Sequence, residues 1–135
     1  MPFIRVSYLE QQYEDVQLQH ISKIIMQALI DHFNVPEDDC FQVFHAHSKE
    51  EFYYHPRYLN VERSDRLIFI HITCKSGRTI RQKQDLYRQL AHQLSIGVPM
   101  RQEDVFIVIN ENEFADWSFG NGVAQMLPVS EEVSE

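Results

Sequence analysis

The sequence is poor in glycine and cysteine and contains no long apolar run. Only 4 glycines occur in 135 residues and none belongs to a phosphate-cradling loop, so nucleotide-binding motifs of that kind are excluded. Cys40 and Cys74 have neither zinc-site nor disulfide-framework spacing, and we expect both to be reduced core thiols. His45 and His47 lack an evident third ligand, so no metal site is expected. No apolar stretch approaches membrane-spanning length, and no membrane partner is expected.

Basic charge is also scarce. Lysine and arginine total 12 against 20 acidic residues, which gives a formal net charge of -8 at pH 7. Binding to a phosphate backbone needs a basic footprint, so nucleic acid is not expected as a partner. The N-terminal segment lacks the basic-then-apolar plan of a signal peptide, which favours a cytoplasmic protein. Residues 128–135 are rich in acid and are predicted to be a solvated tail.

Hydrophobic periodicity predicts two helices. Apolar residues recur three or four positions apart in residues 14–33 and again in residues 80–94. Thr79 and Gln82 have the spacing of a capping box that opens the second helix. The buried stripes are predicted to be Ile21, Ile25 and Leu29 in the first helix and Leu86, Leu90 and Leu94 in the second. Strands are predicted from residue 2, at 40–47, at 67–74 and from 104.

These elements form an internal repeat of two halves, about 1–60 and 61–127, which together make one domain. Each half has the order strand, helix, strand, and a crossover helix makes its two strands parallel. The predicted fold is therefore α/β (α+β): two β-α-β units forming a four-stranded sheet with both helices on one face. The other face is predicted to be apolar and to be buried by further subunits. Residues 48–65 are predicted to connect the halves through a short edge hairpin.

Pro2 directly follows the initiator methionine at the start of the first strand. Proline is tolerated at the first position of a strand, so a purely structural role is one interpretation. Methionine is generally removed when a small residue follows. The freed secondary amine of Pro2 would then act as an acid or base near neutral pH. If Met1 is retained, this amine does not exist.

Other side chains are candidates for the same chemistry. Lys75 and Arg78 lie in the loop that leaves an inner strand, where open α/β sheets place ligands, and Arg78 precedes a helix start that favours anions. Asp39 lies in an acidic stretch before a strand, where a carboxylate could orient a substrate oxygen. Trp117 and Phe119 could wall an apolar pocket. The alternative interpretations are a solvated loop, a solvated acidic face and a subunit contact.

Several stretches together resemble the tautomerase superfamily, named for 4-oxalocrotonate tautomerase. MPFIRV, SGRTIRQKQDLY, DVFIVINEN and DWSFGNG carry the resemblance, which extends to about residue 125. VPEDDCFQV and ERSD are similar to the malonate semialdehyde decarboxylase-like branch. The resemblance implies a tautomerase/MIF-like fold, a homotrimer, a catalytic amino-terminal proline and neither a metal nor an organic cofactor.

The resemblance also implies roles for individual residues. The family's catalytic proline falls on Pro2. The decarboxylase branch's catalytic aspartate falls on Asp39, its two arginines fall on Lys75 and Arg78, and its aromatic wall falls on Trp117 and Phe119. The branch has an arginine where this chain has Lys75, and one extra residue precedes Arg78. Lysine keeps the charge but loses the bidentate geometry of arginine.

The leading hypothesis is keto-enol proton transfer on a small 2-oxo acid, with Pro2 as the acid or base. Arg78 and Lys75 would bind the substrate carboxylate, and Asp39 would position water or a substrate oxygen. A decarboxylase or hydratase of the malonate semialdehyde type, acting on a 3-oxo acid, is the first alternative, and the lysine at position 75 weighs against it. The second alternative is a non-catalytic trimeric binding protein with a blocked amine.

Overall fold

The structure, a computed structural model, describes residues 1–128 and contains one four-stranded sheet. The strands are β1 (Pro2–Leu9), β2 (Gln42–His47), β3 (Ile68–Lys75) and β4 (Val105–Asn112), and the two long helices are α1 (Asp15–Phe33) and α2 (Ile80–Gly97). The sheet order is β2-β1-β3-β4. The β1–β2 and β3–β4 pairs are parallel and the central β1–β3 pair is antiparallel. The predicted pair of β-α-β units is confirmed. Apart from Pro128, the predicted acidic tail lies outside the described residues.

The helix ends follow the signals in the sequence. Thr79 Oγ1 accepts a hydrogen bond from the Gln82 amide at 3.1 Å, and the Gln82 side chain accepts one from the Thr79 amide at 2.8 Å. This reciprocal pair satisfies backbone donors that have no partner inside the helix. Asn34 ends α1 in the left-handed conformation, with φ 54° and ψ 36°. No helix within residues 1–128 combines the length and the apolar character needed to cross a membrane.

One face of the sheet packs against both helices. Ile4 and Val6 on β1, and Ile70 and Ile72 on β3, are at most 1% exposed. Each fully buried side chain of this size contributes about 1.5–3 kcal/mol relative to an exposed one. The six predicted stripe residues are all buried against this face: Ile21, Ile25, Leu29, Leu86, Leu90 and Leu94.

The opposite face of the sheet, called the open face below, is largely left exposed by residues 1–128, although Phe52 of the connection packs against Phe69 at 5.0 Å between ring centres. Phe106 and Val108 on β4 are 41% and 42% exposed. Arg5 Nη1 lies 3.0 Å from the His45 Nε2 of the neighbouring strand. The prediction of an apolar face was therefore only partly right, because strand alternation also directs cationic and imidazole side chains to this side. The open face comprises Phe3, Arg5, Ser7, Val43, His45, Phe69, His71, Thr73, Phe106, Val108 and Asn110.

The connection between the halves differs from the predicted edge hairpin. It contains two single-turn 3-10 helices, Lys49–Glu51 and Tyr58–Asn60, and no strand. Arg63 Nη1 lies 3.0–3.3 Å from three backbone carbonyl oxygens within residues 55–61, which share its two hydrogens. A single guanidinium thus satisfies backbone acceptors that strand pairing would satisfy in a hairpin, and the segment can fold back irregularly.

The connection is joined to the start of β4 by a buried carboxylate. Asp104 is 1% exposed. It accepts hydrogen bonds from the Ser64 amide at 2.8 Å and from the Ser64 hydroxyl at 2.9 Å. Arg101 Nε lies 3.5 Å from the same carboxylate. These contacts compensate the burial of the Asp104 charge. They also place the residues before β3 beside the start of β4.

Candidate active site

A cavity of about 330 Å³ opens where β1 begins and β3 ends. Because β1 and β3 are antiparallel, Pro2 is paired with Cys74, and the chain terminus lies beside the loop that follows β3. The end of α1 and the residues after β4 complete the walls. The main lining residues are Met1, Phe33, Lys75, Ser76, Arg78 and Phe114.

The terminal amine is held by Asp39. The Met1 nitrogen lies 2.8 Å from Asp39 Oδ2, and the two side chains are 8% and 16% exposed. Parallel pairing of β1 and β2 brings the residues before β2 to the start of β1. The Pro2 nitrogen is three bonds from the Met1 nitrogen, roughly 3–4 Å away by standard backbone dimensions. Of the adjacent acids, Asp39 therefore faces the terminus, whereas Asp38 is exposed.

Arg78 is fixed at the floor of the cavity. Its Nη1 donates to the Lys75 carbonyl at 3.0 Å, and its Nη2 donates to the Phe33 carbonyl at 3.1 Å. The guanidinium also lies 5.0 Å from the centre of the Phe33 ring. These contacts use two of its five N–H groups, so the remaining donors can bind a carboxylate. Gly77, with φ 121°, provides the backbone turn that directs Arg78 back toward α1.

Lys75 is the last residue of β3 and contacts two residues that the sequence analysis did not predict. Its Nζ lies 3.7 Å from Glu113 Oε2 and 4.8 Å from the centre of the Phe114 ring. Glu113 Oε1 also accepts a hydrogen bond from the Ser76 hydroxyl at 2.6 Å. The predicted topology could have located both residues, because the ends of two parallel neighbouring strands meet at the same edge of a sheet. Glu113 and Phe114 follow β4 directly.

Several charges converge on the buried Cys74 thiol at this end of the sheet. Burial raises the pKa of Cys74, and Glu111 raises it further, whereas Arg78, Lys83 and the terminal ammonium lower it. The thiol is therefore a protonated core group. Cys40, in contrast, is exposed in the loop before β2, so the prediction of two core thiols was wrong for Cys40.

Trp117 and Phe119 do not line the cavity within this chain. Their rings are stacked, with centroids 5.6 Å apart and planes 9° apart. Phe119 also lies 5.9 Å from the Phe41 ring, which places the pair beside the loop before β2. The Trp117 indole donates to Asn112 at 2.7 Å, which holds the pair to the end of β4. In this chain the aromatic walls of the cavity are Phe33 and Phe114.

The structure thus places Met1, Lys75 and Arg78 around one cavity, with Asp39 paired to the Met1 amine, and leaves the predicted aromatic pair outside it. Within residues 1–128, no three or more histidine, cysteine, aspartate or glutamate side chains are grouped so as to hold a metal ion. The arrangement can bind one anionic group at Arg78 and hold an amine at Asp39. An amine held beside a bound anionic substrate can accept a proton from that substrate or donate one to it.

The family models that match this chain, and a similar known sequence, are described as tautomerases. Two family models, both described as tautomerase enzyme, match residues 39–120 and residues 2–62. The probable tautomerase YusQ of Bacillus subtilis (strain 168) is 49% identical over 127 residues, which cover 94% of this chain and 99% of that protein.

Solved structures show the same likeness. The FG41 malonate semialdehyde decarboxylase inhibited by 3-bromopropiolate is 33% identical, with a TM-score of 0.84 over 98% of both chains. A malonate semialdehyde decarboxylase studied for its decarboxylase and hydratase activities is 26% identical, with a TM-score of 0.85 over 92% of this chain and 95% of that one. A fused 4-OT symmetric trimer is 15% identical and shows the fold alone, with a TM-score of 0.75 over 92% of this chain and 96% of that one.

Proposed function

Because this chain belongs to the tautomerase family, we propose that it catalyses the keto-enol tautomerisation of a small 2-oxo acid with the nitrogen of Pro2. One observation carries this proposal: Met1, whose amine is paired with Asp39, lines the same cavity as Arg78, so removal of Met1 would leave the Pro2 nitrogen beside both groups. A substrate carboxylate bound to Arg78 would direct its neighbouring oxo group toward the terminus.

The proposed reaction needs no group beyond these. With Met1 removed, the Pro2 amine accepts the proton of the enol hydroxyl as the O–H bond breaks. The same amine returns a proton to the adjacent carbon, where a C–H bond forms and the keto acid results. Arg78 stabilises the negative charge of the enolate between these steps, an effect of about 3–4 kcal/mol for a well-placed donor. Asp39 holds the protonated nitrogen in position.

A second candidate is decarboxylation or hydration of a 3-oxo acid of the malonate semialdehyde type. The likeness to the FG41 enzyme over 98% of both chains favours it, and so does the carboxylate of Asp39 beside the terminal ammonium. A protonated Pro2 would polarise the carbonyl. In decarboxylation, the electrons of the bond to the departing carboxylate would form the enolate as carbon dioxide leaves, and a proton from Pro2 would then form the new C–H bond.

Two measurements on one sample distinguish these functions from a non-catalytic binding protein. We expect the intact mass to show loss of one methionine, and we expect an enol of a 2-oxo acid to be turned over faster than malonate semialdehyde. Faster decarboxylation of malonate semialdehyde would replace the first candidate with the second. A retained Met1 with no turnover of either compound would favour the binding protein, because the Pro2 nitrogen would then be part of a peptide bond.

We also propose that the chain assembles as a homotrimer through the open face. The exposed Val108 and Phe106 on that face support this proposal, as does the likeness to a fused 4-OT trimer. Light scattering is expected to give three times the 16.1 kDa chain mass. Val108→Asp should dissociate the assembly, because burying an unpaired carboxylate costs several kcal/mol.

Ile96→Asp is the matched control for this experiment. Ile96 is 66% exposed on α2, on the other side of the sheet, so the same apolar-to-acid change should leave the mass unchanged. A monomeric wild-type protein, or dissociation by both variants alike, would contradict assembly through the open face.

A further inference from the structure

We propose that Glu113 restricts the site to oxo acids that carry a single carboxylate, an inference that rests on the proposed function. Glu113 has no direct role in the proposed proton transfer. It acts on the second cation of the cavity, Lys75, and thereby sets how many anionic groups the cavity can accept.

Glu113 contacts both Lys75 and the residue after it. One carboxylate oxygen accepts the Ser76 hydroxyl hydrogen bond at 2.6 Å, and the other lies 3.7 Å from Lys75 Nζ. Lys75 Nζ also donates to the Ser76 carbonyl at 3.1 Å and lies over the Phe114 ring. Ser76 therefore holds both Lys75 and Glu113 in place. The positive charge of Lys75 is already compensated by the Glu113 carboxylate.

The charges around the cavity balance to leave one cation. The terminal ammonium is paired with Asp39 and Lys75 is paired with Glu113. Among the ion pairs formed by residues 1–128, none includes Arg78. One substrate carboxylate at Arg78 therefore pairs with the cation that these ion pairs leave over.

Within residues 1–128, a second carboxylate would find no further unpaired lysine or arginine among the residues that line the cavity. Lys83, the next lysine along the chain, lies 3.1 Å from Glu111 and does not line the cavity. A second substrate carboxylate directed at Lys75 would meet the Glu113 carboxylate at close range, and like charges repel. Desolvation of that second anion would go uncompensated.

The pair is not expected to matter for folding. Glu113 is 66% exposed and Lys75 is 27% exposed, and exposed ion pairs contribute little to stability. Removing the Glu113 charge should therefore change which anions bind without unfolding the protein. A change in anion binding without unfolding would distinguish a role of Glu113 in specificity from a structural role.

The test is isothermal titration of the mature full-length protein with 2-oxobutanoate and 2-oxoglutarate, which differ by one carboxylate. The wild type is expected to bind 2-oxobutanoate at least about tenfold more tightly. Glu113→Gln should tighten 2-oxoglutarate binding about tenfold, the effect of one added charge-assisted hydrogen bond, and leave 2-oxobutanoate within about twofold. The same shift should appear in KM and not in kcat.

Two further variants identify the route of the effect. Glu111→Gln removes the same charge two residues away and releases Lys83 instead, so it should leave both affinities unchanged. In the double variant Lys75→Met with Glu113→Gln, the gain for 2-oxoglutarate should disappear. Equal shifts in Glu111→Gln and Glu113→Gln, or equal binding of the two acids by the wild type, would overturn the inference.

The outcomes also separate this inference from the proposed function. Turnover of monocarboxylic oxo acids together with equal binding of 2-oxoglutarate would overturn the role of Glu113 alone. Selective binding without any turnover, in a sample whose mass shows that Met1 is absent, would overturn the proposed reaction alone. Failure to bind either acid would overturn both.

Discussion

Replacing Pro2 with alanine is expected to lower kcat by roughly 10²–10⁴-fold, the range that a positioned general acid or base contributes. Alanine at the mature terminus keeps an amine but loses the ring that fixes the nitrogen at the start of β1. The amine is then a freely rotating primary amine beside Asp39. Initial rates on an enol of a 2-oxo acid, with the intact mass of each variant recorded, measure the effect.

Pro99→Ala is the control for this change. Pro99 is exposed in the turn after α2, so its loss removes a proline without altering the terminus. Its turnover should equal that of the wild type. Both variants should keep their circular dichroism spectra, since Pro2 lies at the end of a strand and donates no ladder hydrogen bond. Unchanged turnover in Pro2→Ala would refute the proton-transfer role.

Removing the guanidinium of Arg78 is expected to lower kcat/KM by roughly 10²–10³-fold, or about 3–4 kcal/mol. The loss has two parts, because Arg78 is proposed both to bind the substrate carboxylate and to stabilise the enolate. Arg78→Ala should therefore raise KM and lower kcat together. Arg78→Lys should recover only part of the loss, since an ammonium keeps the charge without the bidentate fork.

Arg81→Ala provides a matched loss of charge three residues away. Arg81 is 84% exposed and pairs with Asp85 on the surface of α2. Its removal changes the net charge as Arg78→Ala does but leaves the cavity intact. Equal kinetics in the two alanine variants would show that Arg78 has no direct contact with substrate. The Arg78 variants also need a thermal melt, because Arg78 holds the Phe33 and Lys75 carbonyls.

Local sequence determined the elements of this fold. The stripes of α1 and α2 and the Thr79 capping box are decided by neighbours within one or two helical turns, and the structure confirms each. The repeat of strand, helix and strand then constrains the topology, because a crossover helix requires parallel strands. The resemblance to the tautomerase superfamily, carried by short motifs spread along the chain, was confirmed by both family models.

Where local signals were weak, the prediction failed. The edge hairpin was wrong because Arg63 satisfies the carbonyls of the connection through contacts that no strand pattern encodes. The exposure of Cys40 was not predicted, because burial is inferred from the regular spacing of apolar residues and a single apolar residue in a loop has no such spacing. Arg5 and His45 were not expected on the open face, although their mutual contact follows from the register of β1 and β2.

Tertiary structure decided how the charges at the cavity are paired. Antiparallel pairing of β1 with β3 brings the terminus to Lys75 and Arg78, whereas parallel pairing of β3 with β4 brings Glu113 to Lys75. The terminus, Lys75 and Glu113 are far apart in the chain, and their electrostatic interactions depend on distances of 3–4 Å that only the assembled sheet sets. Sequence motifs therefore identified the candidate groups, but the pairing of the strands determined which cation is left free to bind an anion.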